Sequence, residues 1–405
     1  MFPQASMTKR ESRLDWLMIG ALLGLMIYGI LFILSATTAT EVTQSIPFLK
    51  QTAFKQMVWY GVGIFCAVVL CVVDYQIISR WSLIVYWGSI LVLIAVLLPG
   101  IGSDNGWGAK RWINLGLFQF QPSEFAKLAF ILFMAHFLSR PQDELRIPKV
   151  FIKSLGLMGL PFILILKEPD LGSALVFAPV GLVMMFVAGV PVRFLRRLLG
   201  GVGVIIALVM VDVLFAPKNL QFIKLEDYQK QRLLVYFGLD FAPSDATEAE
   251  RKRLRNVQRA RSYNIEQALI SVGSGGMTGK GWREGTQSAL GYLPRAVAHN
   301  DFIFSVIAEE SGFVGGSVVL ILYTVVMFTG IRIASQARDR LGKIMASGVV
   351  TLLFTHVFIN IGMNIRIMPV TGIPLPLLSY GGSSVLCSLI AAGLLQNIYI
   401  HRKSY

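Results

Sequence analysis

Asp301 stands between a glycine-dense segment and an apolar run: GSGGMTGKGWREGTQ at 273–287, then HND at 299–301, then FIFSVIAEE. A carboxylate at such a junction can take a proton from a substrate hydroxyl, or it can hold a divalent cation such as Mg2+ or Mn2+. As a base it would need partial burial, because a free carboxylate holds a proton weakly. The plain alternative is a helix N-cap, a place that Asp favours. Asn300 beside it can cap equally well and would leave Asp301 for other work. The glycines before it permit positive φ and close backbone approach, and their N–H groups can cradle anions. No nucleotide site is implied: a P-loop needs Lys followed by Ser or Thr, and Lys280 is followed by Gly281. The segment reads as a structured re-entrant loop over the mouth of a helix bundle. Trp282, Tyr292 and Leu293 argue against a plain linker.

Other ionisable residues also sit where charge is expensive. QPSEFAKL at 121–128 puts Glu124 and Lys127 on one helix face at i,i+3. Just upstream stand Lys110 and Arg111. Three cations near one membrane surface suit an anionic headgroup such as a pyrophosphate; the bland alternative is a Glu–Lys pair that neutralises itself. KEPDLG carries Glu168 and Asp170 in a tight turn, as a helix cap or as a metal and hydroxyl contact. Glu309 and Glu310 lie two turns beyond Asp301 and are expected to hold helices together. His356, Asn360 and Asn364 recur every fourth residue and must face protein or a wet cavity. His356 reads as a buried hydrogen-bonding group or a proton carrier. PLPLLSYGGSS at 374–384 suggests extended backbone before a broken or closely packed helix start.

The elements that must position these residues are membrane helices. Hydrophobic residues make up 55% of the chain and charged ones 15%, against about 25% charged in soluble domains. Spanning the hydrocarbon core takes about 20 apolar residues. Ten stretches qualify, at roughly 15–35, 54–73, 81–99, 121–139, 152–168, 172–190, 198–216, 302–330, 344–365 and 374–399. The fold class expected is therefore an all-α polytopic membrane protein, one domain over 1–405, with one large extracytoplasmic loop at 217–299. Within that loop, 240–261 reads as a highly charged solvated helix and Tyr263–Val272 as a short amphipathic one. Arg and Lys crowd alternate short loops, with Arg193, Arg196 and Arg197 in one and Arg332, Arg338, Arg340 and Lys343 in another. The positive-inside rule then puts both termini in the cytoplasm. The first span also has the look of a signal peptide, but its cleavage would invert the charge pattern, so it reads as a retained helix. The net charge of +14 reflects this bias and anionic lipid rather than nucleic acid. Cys66, Cys71 and Cys387 lie in apolar spans and form no disulfide scaffold.

Taken together, six collinear segments resemble the SEDS family (shape, elongation, division and sporulation proteins). They are KRWINLG with FQPSEFAKL, EPDLGSAL, YQKQR, GSGGMTGKGWREGTQ, HNDFIFSVIAEESG and NIGMNIRIMPVTGIPLPLLSYGGSS, and they run through nearly the whole chain. The IPLP at 373–376 looks more like the family's rod-shape branch than its division branch. The resemblance implies a peptidoglycan glycosyltransferase. It would join lipid II, an undecaprenyl-pyrophosphate-linked disaccharide-pentapeptide, into glycan strands with inversion at the anomeric carbon. The partners implied are a class B penicillin-binding protein and other elongation-complex membrane proteins. The place implied is the cytoplasmic (inner) membrane, with the active site facing outward. Asp301 matches the family's key aspartate, Glu124 and Lys127 its QPSE…K pair, and Asp170 its PDLG aspartate; His299 is retained beside Asp301. Lys110 and Arg111 join Lys127 as the cations for the leaving pyrophosphate, with a divalent ion as a further candidate. Where the family reads LPExHTDFIF this chain reads LPRAVAHNDFIF, two residues longer and without the Glu, which puts the loop's geometry in question. The charged insertion at 240–261 is longer than the family pattern leads one to expect. Two other readings stay open: a lipid II flippase or other transporter, which ten spans and a polar stripe suit, and a non-catalytic scaffold for envelope assembly.

Overall fold

The computed structural model describes residues 14–43, 46–103, 111–114, 116, 119–215, 234, 236–237, 248–293 and 295–402. Ten of the helices among them correspond to the ten expected spans. They are α1 (Trp16–Thr43), α2 (Thr52–Val72), α3 (Ser82–Leu97), α4 (Pro122–Leu138) and α5 (Pro148–Lys167). They continue as α6 (Leu171–Ala188), α7 (Val192–Phe215), α8 (Ile303–Gln336), α9 (Arg340–Asn364) and α10 (Gly382–Ile400). Eight are long and apolar enough to cross a bilayer, and α3 and α4, at 16 and 17 residues, fall just short. The chain is an integral membrane protein built of helices. Pro122 and Pro148 stand in the first turns of α4 and α5, where the missing N–H costs nothing.

The bundle has two distinct ends. At one, Asp15 before α1 pairs with Arg332 of α8, and its main-chain N–H donates to Gln396 Oε1 of α10 at 3.1 Å. Nearby, Tyr75 after α2 donates its hydroxyl to Asp339, the N-cap of α9, at 2.9 Å, and Arg338 meets Asp74 at 3.3 Å. Arg340 donates to the carbonyl of Ala188, the last residue of α6, at 2.8 Å. Successive helices therefore alternate in direction, and the basic short-loop residues Arg332, Arg338 and Arg340 gather at this end. The core is deepest along α9 and α10, whose residues are mostly buried. Helix α7 lies at the other extreme, with Leu199, Val204, Ile205 and Leu208 all exposed, as suits a helix bathed in lipid.

The opposite end carries the site. A small antiparallel sheet caps it, formed by β1 (Gly102–Ser103), β2 (Trp112–Asn114) and β3 (Gln119–Phe120) in the order β1-β2-β3. The expectation of a purely helical chain contained no strands, and pieces this short carry no readable alternation. In the long loop the two expected helices are one, Glu248–Ser274, lying against α8 and α9. Lys110 and the YQKQR segment at 228–232 lie outside the described residues.

The glycine-dense segment does fold back into the bundle, and it does so by breaking α8. Gly312 has φ +66 and ψ −162 inside that helix. An unbroken helix would pair the N–H of Phe313 and Val314 with the carbonyls of Glu309 and Glu310. Here the loop takes all four groups. Lys280 N and Gly281 N donate to Glu309 O and Glu310 O at 3.0 Å each, while Phe313 N donates to Gly276 O at 2.9 Å and Val314 N to Met277 O at 3.0 Å. At membrane depth no water replaces a lost main-chain partner, so irregular backbone persists only with such pairing. Gly279, at φ +82, has no room for a Cβ against the Glu310 carbonyl. Gly279→Ala is therefore expected to undock the loop, raising hydrogen exchange at the Lys280 and Gly281 amides by at least about tenfold. Gly276→Asn is the control: that position is also left-handed but opens onto free space, and Asn tolerates it. Equal protection in both variants would mean that the docking does not depend on this approach.

Candidate active site

Asp301 lies in the turn that leads into α8. After 293 the chain makes the short helix Arg295–Ala298, and the N–H groups of Asn300 and Phe302 both close back on Val297 O at 3.2 Å. The capping position of α8 is Phe302, and no side chain caps it. The N-cap reading of Asp301 is therefore not what the structure has.

The Asp301 side chain is half-buried and lines a cleft of about 670 Å³. That size falls in the usual range for ligand sites. Its apolar lining comes from Leu49 just before α2, from Phe54, Val58 and Trp59 at the start of α2, and from Trp112 of β2. Its polar lining comes from Gln119, Gln121, Asn300, Asp301, Ser383 and Ser384. Lys55 also lines it and is the cation of the cleft among the described lining residues. The sequence reading passed over Lys55, although its place in the first turn of an apolar span was a signal of the same kind as Lys127.

The floor is the segment before α10, irregular over 371–375 and then turned at 376–379, and side chains from three helices hold its carbonyls. Tyr60 of α2 donates to Leu377 O and Tyr323 of α8 to Pro376 O. Gln56 donates to Ser379 O at 3.1 Å, and Asn360 of α9 to Ile373 O at 2.7 Å. Ser379 Oγ in turn donates to Asn300 O at 2.6 Å. His299 packs its ring 5.6 Å from that of Tyr380, and its carbonyl accepts from Tyr380 N at 2.9 Å. Where PLPLLSYGGSS led one to expect extended backbone before a broken or closely packed helix start, the chain makes a clamped turn at 376–379 and then starts α10 in close packing at Gly382. Gly382 has no room for a Cβ against the Trp59 indole.

The other candidates divide into three groups. Arg111 does not meet Lys127. Its guanidinium binds the turn between α5 and α6, through Glu168 O at 3.3 Å, Pro169 O and Asp170 Oδ1 at 3.9 Å. Asp170 caps α6, accepting from Ser173 N at 3.1 Å, and Oδ2 accepts from Gln121 Nε2 at 3.4 Å. Of the two roles left open for this turn, the cap is realised. Glu168 is 1% exposed, with neither carboxyl oxygen paired among the described residues. Burial first, then the neighbouring Asp170, pushes its pKa up to about 8 against the pull of Arg111. It is held largely as the neutral acid at pH 7.

Deeper, Glu124 and Lys127 form an ion pair at 2.6 Å with both side chains only 2% exposed. Lys127 Nζ also lies 2.9 Å from His356 Nε2. An ammonium only donates, so His356 accepts there and carries its proton on Nδ1. Of its two expected roles, the hydrogen-bonding one is what this geometry displays. Glu309 and Glu310 hold the glycine loop. Glu309 Oε1 accepts from Lys280 Nζ at 2.7 Å, Gln287 N at 2.9 Å and Thr286 Oγ1 at 3.1 Å. Glu310 accepts from Arg283 N at 3.1 Å and from Ser35 Oγ.

Among the described residues, no three His, Cys, Asp or Glu side chains gather into a group able to hold a metal. Asp301 offers one carboxylate, the kind of ligand that would hold Mg2+ or Mn2+ together with substrate phosphates. No step below runs through a metal.

A helical membrane bundle with an apolar lining and a carboxylate in one cleft can seat an amphiphile, apolar tail and polar head together. The chain belongs to the FtsW/RodA/SpoVE family, described as cell cycle proteins, whose family model matches residues 15–404. Among its relatives, the peptidoglycan glycosyltransferase MrdB of Escherichia coli K12 is 35% identical over 96% of this chain and 94% of its own length. The peptidoglycan glycosyltransferase RodA of Treponema pallidum is 34% identical over 96% and 98%. A solved chain from a peptidoglycan synthase complex, described as coordinating polymerization and crosslinking, superposes with a TM-score of 0.73 at 26% identity, covering 96% of this chain and 98% of that one. The crystal structure of Thermus thermophilus RodA gives 0.65 at 26% identity, covering 97% and 98%.

Proposed function

We propose that this protein is a peptidoglycan glycosyltransferase that joins lipid II units into glycan strands for cell elongation and rod shape. The observation that carries the reading is Asp301, half-buried in a cleft with apolar and polar lining, in a chain of this family. The apolar lining from the start of α2 suits a polyprenyl tail, and the polar lining suits the sugars.

The reaction breaks the bond between the donor's anomeric carbon and its pyrophosphate and forms one to the acceptor's 4-hydroxyl oxygen. The donor is α-linked and the product β-linked, so the attack is a single in-line displacement. Asp301 accepts the proton of the attacking hydroxyl, for which it must come within about 3 Å of that oxygen. The pyrophosphate leaves with the bonding electron pair, and cations stabilise it. Lys55 of the cleft, together with His299, Arg111 and Lys110, are the proposed contacts. Glu124, Lys127 and Asp170 support headgroup use by holding α4, α6 and the Arg111 turn. A class B penicillin-binding protein is the proposed partner, with other membrane proteins of the elongation complex. Purified protein reconstituted with its penicillin-binding protein and lipid II should yield long glycan on a gel; lipid II left unpolymerised would overturn the reading.

The same proposal places the cleft at the outer face of the cytoplasmic membrane and both termini inside. The gathering of Arg332, Arg338 and Arg340 at the far end supports it. Exposed Lys252 on the loop helix and exposed Gln336 at the end of α8 can each be changed to Cys in a background lacking Cys66, Cys71 and Cys387. In intact cells an impermeant maleimide should label only the first. Labelling of the Gln336 site alone would turn the cleft to the cytoplasm.

A further inference from the structure

Asp301 projects from a turn, and a turn alone does not hold a carboxylate to the tolerance that chemistry needs. Helix α9 supplies the constraint. Asn360 and Asn364 stand one helical turn apart on the same face, and both are fully buried. Each donates its side-chain amide to one acceptor, the main-chain carbonyl of Asp301, at 3.1 Å. A carbonyl oxygen has two lone pairs, and the two amides account for both.

Their remaining bonds reach to either side of Asp301. Asn360 also donates to Ile373 O at 2.7 Å, next to Gly372, whose Cβ position lies 3.6 Å from Asp301 Oδ2. Asn364 Oδ1 accepts from Ser305 Oγ at 2.6 Å, in the first turn of α8, and its amide also donates to Asn360 O at 2.8 Å. The two side chains therefore join the cleft floor, the Asp301 turn and the start of α8 to one straight, buried helix. A charged donor would do this less well. A Lys or Arg here would draw the Asp301 carboxylate towards itself, and a carboxylate would set oxygen against two carbonyls.

We propose that Asn360 and Asn364 are positioning residues for the glycosyl transfer: by clamping the Asp301 carbonyl they aim its carboxylate into the cleft. The proposal rests on Asp301 being the base. It differs from ordinary polar glue between helices in what it makes the rate depend on. Glue lost from the core lowers stability and spares the turnover of whatever remains folded. A lost aim lowers kcat in protein that is folded and binds substrate normally. A misplacement of about 1 Å can cost about a hundredfold in rate.

The test uses the full chain in complex with its penicillin-binding protein, with lipid II as substrate. Asn360→Leu and Asn364→Leu should each lower kcat about 10- to 100-fold while KM for lipid II stays within about twofold. Asn364→His places a ring N–H where the amide stood and should restore most of kcat. Ser305→Ala removes only the hydroxyl that fixes the Asn364 amide; it guards against the Leu variants failing to fold and should lower kcat several-fold. Unchanged kcat in the folded Leu variants overturns the proposal, as does a loss confined to KM. If the Leu variants do not fold, unchanged kcat in Ser305→Ala overturns it. Asp301→Asn in the same assay separates the two ideas. Its full activity would remove the base and the positioning claim together, whereas an inactive Asp301→Asn beside fully active Asn variants removes the positioning claim alone.

Discussion

Asp301→Asn is expected to abolish glycan polymerisation while leaving the fold and lipid II binding intact. The substitution keeps size and shape and removes only the proton acceptor. The Asp301 carbonyl still receives Asn360 and Asn364, and the turn still closes on Val297, so nothing in the packing changes. A positioned general base contributes about 10²–10⁴ in rate, and loss on that scale empties a polymerisation gel of long glycan. Two measurements check it: glycan length with the cognate penicillin-binding protein, and melting in detergent. A normal melt with no polymer is the expected pair. Full polymerisation by the variant would remove Asp301 from the chemistry. It would also favour the scaffold reading, in which this carboxylate is replaceable. A flippase would be separated by a different outcome, movement of lipid II across a vesicle bilayer with no glycan formed.

The chain's sequence disclosed its spans more readily than its contacts, for a physical reason. The bilayer imposes a length and a polarity on every crossing segment, and each of the ten expected segments is a helix, eight of them meeting that length and polarity in full. It imposes nothing comparable on which loop meets which helix. Glu309 and Glu310 were legible as residues that hold elements together, because a carboxylate at that depth must have partners. That the partners are Lys280, Gln287 and Arg283 of the glycine loop required the fold. The break at Gly312 was hidden for a related reason. Gly312, between Glu309–Ser311 and Gly315–Gly316, is compatible with an unbroken helix, and only the loop's four main-chain bonds make the break favourable. The grouping of Arg111 with Lys127 by nearness to one surface failed in direction. Arg111 turns to the carbonyls of the α5–α6 turn, whereas Lys127 points inward to His356. Asp301 itself was legible from its junction, but Lys55 and the apolar residues Phe54, Val58 and Trp59 of the same cleft come from α2, far away in the chain.

Lys127→Met should destabilise the protein strongly, and a second substitution should repair it. Glu124 and Lys127 are both 2% exposed and lie 2.6 Å apart. Removing one partner of a buried pair leaves the other charge without compensation, at a cost of about 3–5 kcal/mol. His356 adds to the loss, since its Nε2 gives up a charged donor. Replacing both, as Glu124→Leu with Lys127→Met, removes the uncompensated charge together with the desolvation cost of the pair, and such swaps are often neutral or stabilising. The melting temperature in detergent should therefore fall in the single variant and return most of the way in the double. A single variant that melts like the parent would mean that water or lipid headgroup reaches Lys127, contrary to its burial. Polymerisation by the double variant then separates two roles for the pair. Polymerisation that returns with stability assigns it to holding α4 against α9. Stability that returns without polymerisation means that the charge itself is used, which would bring Lys127 back to the pyrophosphate by way of a motion of α4.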